Sequence, residues 1–511
     1  MTPTARWLFA LPFCPLFACA QAEMPPPAGD PVPALTWQKT LPTTDSLRFV
    51  QRDRGLRPVR GLIHLHSVYS HDACDGKPQV AGGPNAPCLA NLRRGLCATR
   101  QDFAFLTDHA TLMADTPFPD LFLPDAAAGD EAEHATGDPS PDVDVVGGRL
   151  RCDDSVAAGH RVHVAVGGEN ELMPVALRRH LGSTAEARHQ AMGDGSPAAV
   201  RAFHDAGGAL LVAHGESHPI EQLRGLAQAG MDGMEVYNLH ANIDPKIRGP
   251  YLGLDPLGAI VGLTPWIAGR SVEEGGPEPD LAFLGFLSAN QSQIDKFDTL
   301  LGEGFHLAPT LGSDIHENSL KEPLADGERG DGYRRLMRWF TNHLLVPTSL
   351  RPLTTAGLRG ALAAGRIYGV FELFGSPEGF DFHATSGAQT FELGDTAPLG
   401  STLRVSVPHP FPSSFRGADV VMRISVRHVP ARGPGASGPP SSEVLTRTLT
   451  ADELATDPGL RVSLDSAMRG PGAYRVEVYV VPRHLLHLLG ENPAPYAREY
   501  PYLYTAPIYV R

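Results

Sequence analysis

Between residues 59 and 374 the chain alternates short apolar runs with stretches that have helical spacing. Six apolar runs predict strands, at residues 59–63, 103–106, 162–166, 209–213, 233–237 and 307–311. Helix-like stretches lie between them, such as residues 198–206 and 294–301. Strands that alternate with helices are typical of parallel sheets. The pattern therefore predicts the α/β class, with an α/β barrel over residues 59–374.

The pattern changes after residue 374. Apolar and polar residues alternate with a period of two in four runs, at residues 402–407, 420–426, 474–480 and 506–510. Turns rich in Pro, Gly and Ser separate these runs, as in residues 433–442. Short alternating strands with frequent turns are typical of antiparallel sheets. We therefore predict a C-terminal β-sandwich domain over residues 375–511.

The first residues have the pattern of an export signal. Arg6 supplies a positive charge, and residues 7–17 form an apolar run too short to span a bilayer as a helix. We predict a signal peptide over residues 1–22, with two alternative endings: a lipobox that would place a lipid on Cys19, or ordinary cleavage at Ala20-Gln21-Ala22. An exported protein is expected, in the periplasm or anchored by a lipid to the membrane at the cell surface.

Three further segments differ in composition. Residues 23–58 form a Pro-rich lead-in. Residues 112–160 are acidic and rich in Gly, Ala, Asp and Pro, which predicts a surface insertion that is partly mobile. Residues 243–292 form a second insertion. Both insertions fall between predicted strands, so the barrel pattern continues on either side of each.

Charge and cysteine content narrow the class of protein. The formal net charge is −14, and an acidic surface repels phosphate backbones, so a small-molecule substrate is expected rather than nucleic acid. Four cysteines lie outside the signal peptide: Cys74, Cys88, Cys97 and Cys152. In an exported protein they fit two disulfides, with three alternative pairings. A Cys-rich metal site is disfavoured because no Cys-x-x-Cys pair occurs.

Most of the predicted barrel strands end in His, Asp or Glu. In parallel α/β barrels the carboxyl ends of the strands converge on one face, so residues distant in sequence can meet there. His64 and His66 are two residues apart on an extended segment, which points both rings to one side and allows them to bind one ion. Imidazole suits Zn, Mn or Fe, whereas carboxylates suit harder ions, so a mixed set does not name the metal. The residues at the other strand ends are Asp108, His109, Glu169, His214, Asp314 and His316.

These residues also follow the motif order of a known family. The chain has His-x-His-Ser-x-x-Ser-x-Asp, then Thr-Asp-His, Gly-x-Glu, a strand-terminal His and Gly-Ser-Asp-x-His, between Gly61 and His316. In this order the sequence resembles the PHP (polymerase and histidinol phosphatase) family of metal-dependent hydrolases. Within the family it is most similar to the carbaryl-hydrolase-like branch, in which a segment like residues 358–371 and a C-terminal β domain follow the barrel.

The resemblance implies a distorted (β/α)7 barrel that holds two to three divalent metal ions, Zn, Mn or Fe. One ion would be held by four residues: His64, His66, Glu169 and Asp314. Glu169 would bridge to a second ion, which His109 and a further His would also bind. Three residues would complete a third metal site or would hold the metal ligands in position: Asp72, His214 and His316.

The further His and the strand-terminal His each have more than one candidate. In the family the further His precedes a Leu-Gly pair, which here indicates His180, with His189 and His204 as rivals. For the strand-terminal His, we prefer His214 because it directly follows the apolar run. The family's His-Pro pair matches His218 instead.

Several residues near the predicted cluster are expected to transfer protons, to orient ligands or to line the pocket. Asp72 and His316 are the candidates for a general acid near the leaving group. Asp108 is expected to orient His109 or a metal-bound water. Three residues that follow another predicted strand are expected to line the pocket: Glu235, Asn238 and His240.

The expected function is therefore that of an exported metal-dependent hydrolase, a phosphoesterase for small phosphate esters that uses a hydroxide bridging the metal ions. Two ions about 3.5–4 Å apart can share a hydroxide, orient it and stabilise charge on the substrate oxygens. Phosphate esters gain most, because the charge spreads over several oxygens. Two alternatives stay open: a carbamate or amide hydrolase with the same metal centre, and a non-catalytic binding protein of the cell surface.

Overall fold

The computed structural model describes residues 36–135, 145–412, 414–456, 461–462 and 470–511. The predicted signal peptide, with its Cys19 lipobox and its alternative cleavage site, lies outside the described residues. None of the helices in the described ranges combines the length and the apolar character that crossing a bilayer requires.

The strands of the described residues are β1 (Leu56–Leu65), β2 (Gln79–Val80), β3 (Gly83–Pro84), β4 (Phe103–Leu106), β5 (Glu131–His134), β6 (Val145–Arg151), β7 (Arg161–Val166), β8 (Met173–Val175), β9 (Ala209–Val212), β10 (Gly233–Asn238), β11 (Ala308–Ile315), β12 (Thr341–Pro347), β13 (Ile367–Val370), β14 (Asp381–Ser386), β15 (Gln389–Phe391), β16 (Thr396–Ala397), β17 (Thr402–Ser406), β18 (Val420–Pro430), β19 (Ser442–Thr450), β20 (Arg461–Val462), β21 (Gly472–Val480), β22 (Tyr500–Thr505) and β23 (Ile508–Val510).

The α-helices of the described residues are α1 (Ala73–Gly76), α2 (Ala86–Ala98), α3 (Ala110–Met113), α4 (Asp154–Ala157), α5 (Ala185–Met192), α6 (Pro197–Asp205), α7 (Ile220–Ala229), α8 (Leu239–Ile243), α9 (Pro245–Leu252), α10 (Gly258–Gly262), α11 (Thr264–Ile267), α12 (Gln291–Gly302), α13 (Tyr333–Met337), α14 (Thr355–Ala363) and α15 (Ala451–Thr456).

Six of these strands correspond to the six apolar runs predicted between residues 59 and 311. They pair side by side and in parallel, in the order β9–β10–β11–β1–β4–β7. Every residue of β4, β9, β10 and β11 is buried. Burial on both faces of a parallel sheet explains why these strands are continuous apolar runs rather than alternating ones.

Antiparallel strands extend this parallel set into a mixed sheet of 17 strands. β12, which the sequence did not predict, pairs with both β1 and β13. β13 then pairs with β22, and the pairing continues through β21 and β18 to β19. The strands after residue 374 therefore share main-chain hydrogen bonds with the strands before it. A separate sheet contains β15, β14, β17 and β20. The fold is of the predicted mixed α/β class, with one large mixed sheet.

The segment predicted as a surface insertion over residues 112–160 carries structure of its own. β5 and β6 form an antiparallel pair, and β6 also pairs with the edge of β7. Leu121, Phe122 and Leu150 are buried in the core. The two predicted disulfides join Cys74 to Cys88 and Cys97 to Cys152. The second of them ties the insertion to α2.

Candidate metal centre

The carboxyl ends of the parallel strands bring eight of the predicted ligands together. They form two groups of four, and in each group one ligand atom per residue lies within 4.8 Å of the others. The first group consists of His66, Asp72, His109 and His316. The second group consists of His64, Glu169, His214 and Asp314. The described residues therefore include His, Asp and Glu groups at the spacing that a metal ion requires.

Three of these eight residues have a left-handed backbone. The φ angles are 73° at His64, 49° at His214 and 52° at Asp314. Residues other than Gly seldom adopt this conformation, and its cost persists only where the surrounding structure fixes it, which is common at functional sites. At His64 the register of β1 shifts against both parallel neighbours. The rings of His64 and His66 still meet, with centroids 5.3 Å apart, but through an irregular strand rather than the regular alternation expected from the sequence.

The carboxylates of Glu169 and Asp314 each divide their two oxygens between neighbouring imidazoles. Glu169 Oε2 lies 3.1 Å from His64 Nε2 and 3.2 Å from His66 Nε2, and Oε1 lies 3.3 Å from His214 Nε2. Asp314 Oδ1 lies 3.3 Å from the same two Nε2 atoms, and Oδ2 lies 3.2 Å from His214 Nε2. Donor atoms that bind one ion tetrahedrally at 2.0–2.2 Å are about 3.4 Å apart, so these separations fit ligand sets.

Asp72 lies at the edge of the cluster, next to His316 and His109. Its Oδ2 lies 3.2 Å from His316 Nε2 and 3.5 Å from His109 Nε2. The side chains of Asp72 and His109 are 34% and 25% exposed, whereas those of His64 and His66 are fully buried. The cluster is therefore open to solvent on the side of Asp72 and His109.

Five cluster histidines have a hydrogen-bond partner on Nδ1, which leaves Nε2 to face the carboxylates. The partners are Glu235 Oε1 for His64 (2.6 Å), Ser70 Oγ for His66 (3.1 Å), the Glu169 carbonyl for His109 (2.8 Å), Glu216 Oε1 for His214 (2.9 Å) and the Asp314 carbonyl for His316 (2.8 Å). Metal-binding histidines characteristically donate their second ring N–H in this way, which fixes the tautomer and the ring orientation. The Nε2 atoms of His64, His66 and His316 are buried without an ordinary hydrogen bond, as metal ligands would be.

Ser70 explains why the motif carries a serine between its histidines and Asp72. Its Oγ accepts the Nδ1–H of His66 at 3.1 Å and the backbone N–H of His109 at 3.3 Å. The hydroxyl donates in turn to Asp72 Oδ1 at 2.8 Å. One hydroxyl therefore positions three members of the cluster.

Asp108 does not orient the His109 ring, which was one of its two predicted roles. Its Oδ1 accepts from the backbone N–H of Ser67 at 2.5 Å, and its Oδ2 accepts from the Ser67 hydroxyl at 2.6 Å. Asp108 therefore holds the turn that follows β1, whereas the His109 ring is held by the Glu169 carbonyl. The predicted contact of Asp108 with a metal-bound water stays a prediction.

The structure also corrects the assignment of His180 as a metal ligand. His180 Nε2 donates to the Thr116 carbonyl at 2.8 Å, and its ring packs edge-on against Phe118. The two rival histidines pair with acidic residues outside the ligand groups: His189 with Asp115, and His204 with Asp232. The spacing to a Leu-Gly pair indicated His180, but the chain between β8 and α5 carries its ring to another part of the molecule.

The electrostatics couple the imidazoles to the carboxylates. Burial lowers the pKa of His64, but the surrounding carboxylates outweigh burial and raise this pKa well above its usual value. Burial also lowers the pKa of His109, yet Asp72 and the Glu169 carboxylate raise it to about 9. Burial raises the pKa values of Glu169 and Asp314, but the imidazoles, His64 foremost, hold both well below the usual range. Protons on the imidazoles thus balance the carboxylate charge, and a divalent ion would displace them.

The two predicted general acids have shifted pKa values in the metal-free protein. Burial raises the pKa of Asp72, but contacts with the rings of His109 and His316 lower it far more. Burial and the nearby charge of His66 lower the pKa of His316. A bound ion would change this charge balance, so the roles of Asp72 and His316 as general acids stay predictions.

Sequence reasoning gave Glu216 no role, and it placed Glu235 in the lining of the pocket without its contact with the His64 ring. Besides the His64 ring, Glu235 accepts the backbone N–H of His214 at 3.0 Å and the Asn238 amide at 3.0 Å. Glu216 supports the His214 ring. A signal was present in both cases, since a Glu inside the apolar strand β10 must have buried partners. Likewise, Glu216 stands two residues after the strand-terminal His214.

No protein-family model matches the chain, and no curated protein matches it. The resemblance to the PHP family therefore stays a prediction from motif order. The donor set itself fits divalent metal ions, because buried imidazole nitrogens without hydrogen bonds face carboxylate oxygens at ligand spacing.

Proposed function

We propose that this protein is an exported metal-dependent hydrolase, a phosphoesterase that acts on small phosphate esters. The observation that carries the proposal is the convergence of five imidazole Nε2 atoms on the cluster carboxylates, with every Nδ1 held by a partner. Such outer partners are typical of metal-binding histidines and are not needed for ordinary buried ones.

A distorted seven-stranded barrel is part of the proposal. The parallel order β9–β10–β11–β1–β4–β7 leaves a gap between β7 and β9, and β8 pairs with β9 on that side. The N–H of Leu177, just after β8, donates to the Val166 carbonyl at the end of β7 at 2.8 Å. This bridge supports closure of the ring between β7 and β8. The carboxyl ends of barrel strands are where enzymes of this architecture carry their sites.

The proposed β-sandwich rests on two sets of antiparallel strands after residue 374, one a separate sheet and the other part of the 17-stranded sheet. One is the sheet of β15, β14, β17 and β20, and the other is the antiparallel run of β19, β18, β21 and β22. Two antiparallel sheets are what a sandwich requires.

The proposed chemistry assigns a task to each kind of side chain. Divalent ions, when bound, would act as Lewis acids on the phosphoryl oxygens and activate water for attack. Glu235 and Glu216 would keep the His64 and His214 rings in their binding orientation. Glu169 and Asp314, which offer oxygens in two directions, would hold ions close to one another. Substrate would enter on the exposed side of the cluster. Phosphate esters are favoured because several oxygens share the charge that the ions stabilise.

The disulfides support export. Disulfides persist in oxidising compartments and are rare in the cytosol. Both bridges join buried parts of the fold, and Cys74–Cys88 begins two residues after Asp72 of the cluster. An oxidising compartment would therefore favour formation of the site.

The test combines metal content with turnover in the purified mature protein. We expect two to three equivalents of Zn, Mn or Fe by elemental mass spectrometry, and hydrolysis of aryl phosphate mono- and diesters. His66→Asn should reduce both, whereas His189→Asn, which alters a histidine paired with Asp115 outside the cluster, should change neither. Hydrolysis of aryl carbamates alone would favour the carbamate hydrolase. Absence of bound metal after reconstitution would overturn the proposal.

A further inference from the structure

On the side of the cluster that faces away from His66, Glu169 and Asp314 each have one carboxylate oxygen that faces neither His64 nor His66. Glu169 Oε1 and Asp314 Oδ2 both point to His214 Nε2, at 3.3 Å and 3.2 Å. The other oxygen of each carboxylate faces His64 and His66. His180, which the sequence indicated as a further ligand beside His109, lies elsewhere and does not add an imidazole to this outer side.

His240 supplies an imidazole at this place. Its Nδ1 lies 3.1 Å from Asp314 Oδ2, the same oxygen that His214 faces. The centroids of the two rings are 5.8 Å apart, and the rings are nearly perpendicular. Two imidazoles that approach one carboxylate oxygen from different directions are suited to share an ion with it.

We propose that His240 is a metal ligand, which completes an outer set of four donors with His214 Nε2, Glu169 Oε1 and Asp314 Oδ2. The inner set consists of His64 Nε2, His66 Nε2, Glu169 Oε2 and Asp314 Oδ1. Each carboxylate thus gives one oxygen to each set. The inference rests on the proposed metal-dependent function and assigns a residue to it that the motif order does not contain.

The local structure fixes His240 where this role requires it. α8 begins directly after β10, and its N-cap Asn238 accepts the N–H of Ala241 at 3.0 Å. The Asn238 amide donates to Glu235, the same carboxylate that holds the His64 ring. The first turn of α8, which carries His240, is therefore tied to the partner of an inner-set histidine.

The outward nitrogen of His240 also has a partner. Nε2 lies 3.7 Å from Asp244 Oδ2, and Asp244 is the N-cap of α9, where it accepts the N–H of Lys246 at 2.8 Å. His240 thus has the two-sided arrangement of a ligand, with one ring nitrogen toward the cluster and the other toward a carboxylate. Its side chain is 47% exposed, so the outer set lies at a second exposed edge of the cluster, where its ion would exchange more readily than the inner one.

The test compares His240→Asn with wild type and with His180→Asn, first for fold by circular dichroism and then for bound metal after dialysis. We expect His240→Asn to lose one equivalent of metal, with the remaining equivalents bound as before. Its Co²⁺-reconstituted form should show a changed visible spectrum. His180→Asn should match wild type in both measurements. If His240→Asn does not fold, Asp244→Asn is the second variant, because Asn can also serve as the N-cap of α9. It should weaken the binding of one metal ion by about tenfold.

The outcomes separate this inference from the proposed function. A wild-type protein that binds no metal contradicts the proposed function and the inference together. A wild-type protein that binds two or three ions, together with a His240→Asn variant of equal metal content and identical Co²⁺ spectrum, overturns the role of His240 alone. Wild-type binding of a single ion overturns it as well, because no outer ion then exists.

Discussion

His64 donates its Nδ1–H to Glu235 Oε1 at 2.6 Å, and both side chains are fully buried. A buried carboxylate that binds an imidazole raises the basicity of the opposite ring nitrogen and fixes its direction. The other Glu235 oxygen accepts N–H groups from His214 and Asn238. Glu235 therefore connects β1 with the residues that follow β9 and with the N-cap of α8.

Replacement of Glu235 by Gln should weaken metal binding by about 10- to 100-fold, since the amide keeps the shape of the carboxylate but loses its charge. The quantity to measure is the metal dissociation constant, by competition with a chelating dye. Glu171→Gln is the matched control, because Glu171 is an exposed carboxylate two residues after Glu169. Equal dissociation constants for both variants would show that Glu235 does not support the ligands.

The stability of the metal-free protein should fall as the pH rises through about 9. Burial lowers the pKa of His109, but Asp72 and Glu169 raise it to about 9 in the folded state. A group with a raised pKa contributes stability that is complete below its unfolded pKa of about 6.5 and is lost above the folded one. The loss should be no more than about 3 kcal/mol.

Urea unfolding of the chelated protein at several pH values between about 6.5 and 9.5 measures this loss. His109→Asn should reduce the change in the free energy of unfolding between these pH values. In the wild type, metal affinity should rise over the same pH interval because protons leave the ligands. A free energy of unfolding with the same pH dependence in wild type and His109→Asn would contradict the assignment.

The two disulfides should differ in their effect on metal binding. They close sequence separations of 14 and 55 residues, so removal should cost about 3 kcal/mol for Cys74–Cys88 and about 4 kcal/mol for Cys97–Cys152. The N–H of Cys74 also donates to the His316 carbonyl at 2.9 Å. Loss of this first bridge should therefore also loosen a ligand of the cluster.

Paired Ser variants of each bridge separate the two effects. Urea unfolding gives the stability loss, and metal titration of the folded protein gives the affinity. We expect weaker metal binding in Cys74→Ser/Cys88→Ser only, with Cys97→Ser/Cys152→Ser as the control. If both variants bind metal as tightly as wild type, the first bridge serves stability alone.

The parallel strands and the ligands at their ends could be predicted from sequence, because both depend on local patterns. An apolar run such as β4, buried on all four residues, is visible without knowledge of its neighbours. His109 and Glu169 follow such runs directly, and parallel strands bring their ends to one side. These predictions did not depend on the register of strand pairing or on the paths of the loops between the strands.

What could not be predicted depends on non-local geometry. The distance from Glu169 to His180 is short in sequence, but the path of the intervening loop decides that the ring reaches Thr116 instead. β12 pairs with the first six residues of β1, Leu56 to Gly61, and its own residues carry no strong alternation. The partition of the carboxylate oxygens between imidazoles depends on three left-handed residues that no pattern indicates.

The pairing of β13 with β22 has a consequence for biosynthesis. On the edge of β13 that faces away from β12, Tyr368, Gly369 and Val370 pair with Thr505, Tyr504 and Leu503. A chain that leaves the ribosome from its amino end exposes the edge of β13 until this distant strand has been made. Completion of the large sheet must therefore wait for the far end of the chain, and a chaperone could shield the open edge of β13 until then.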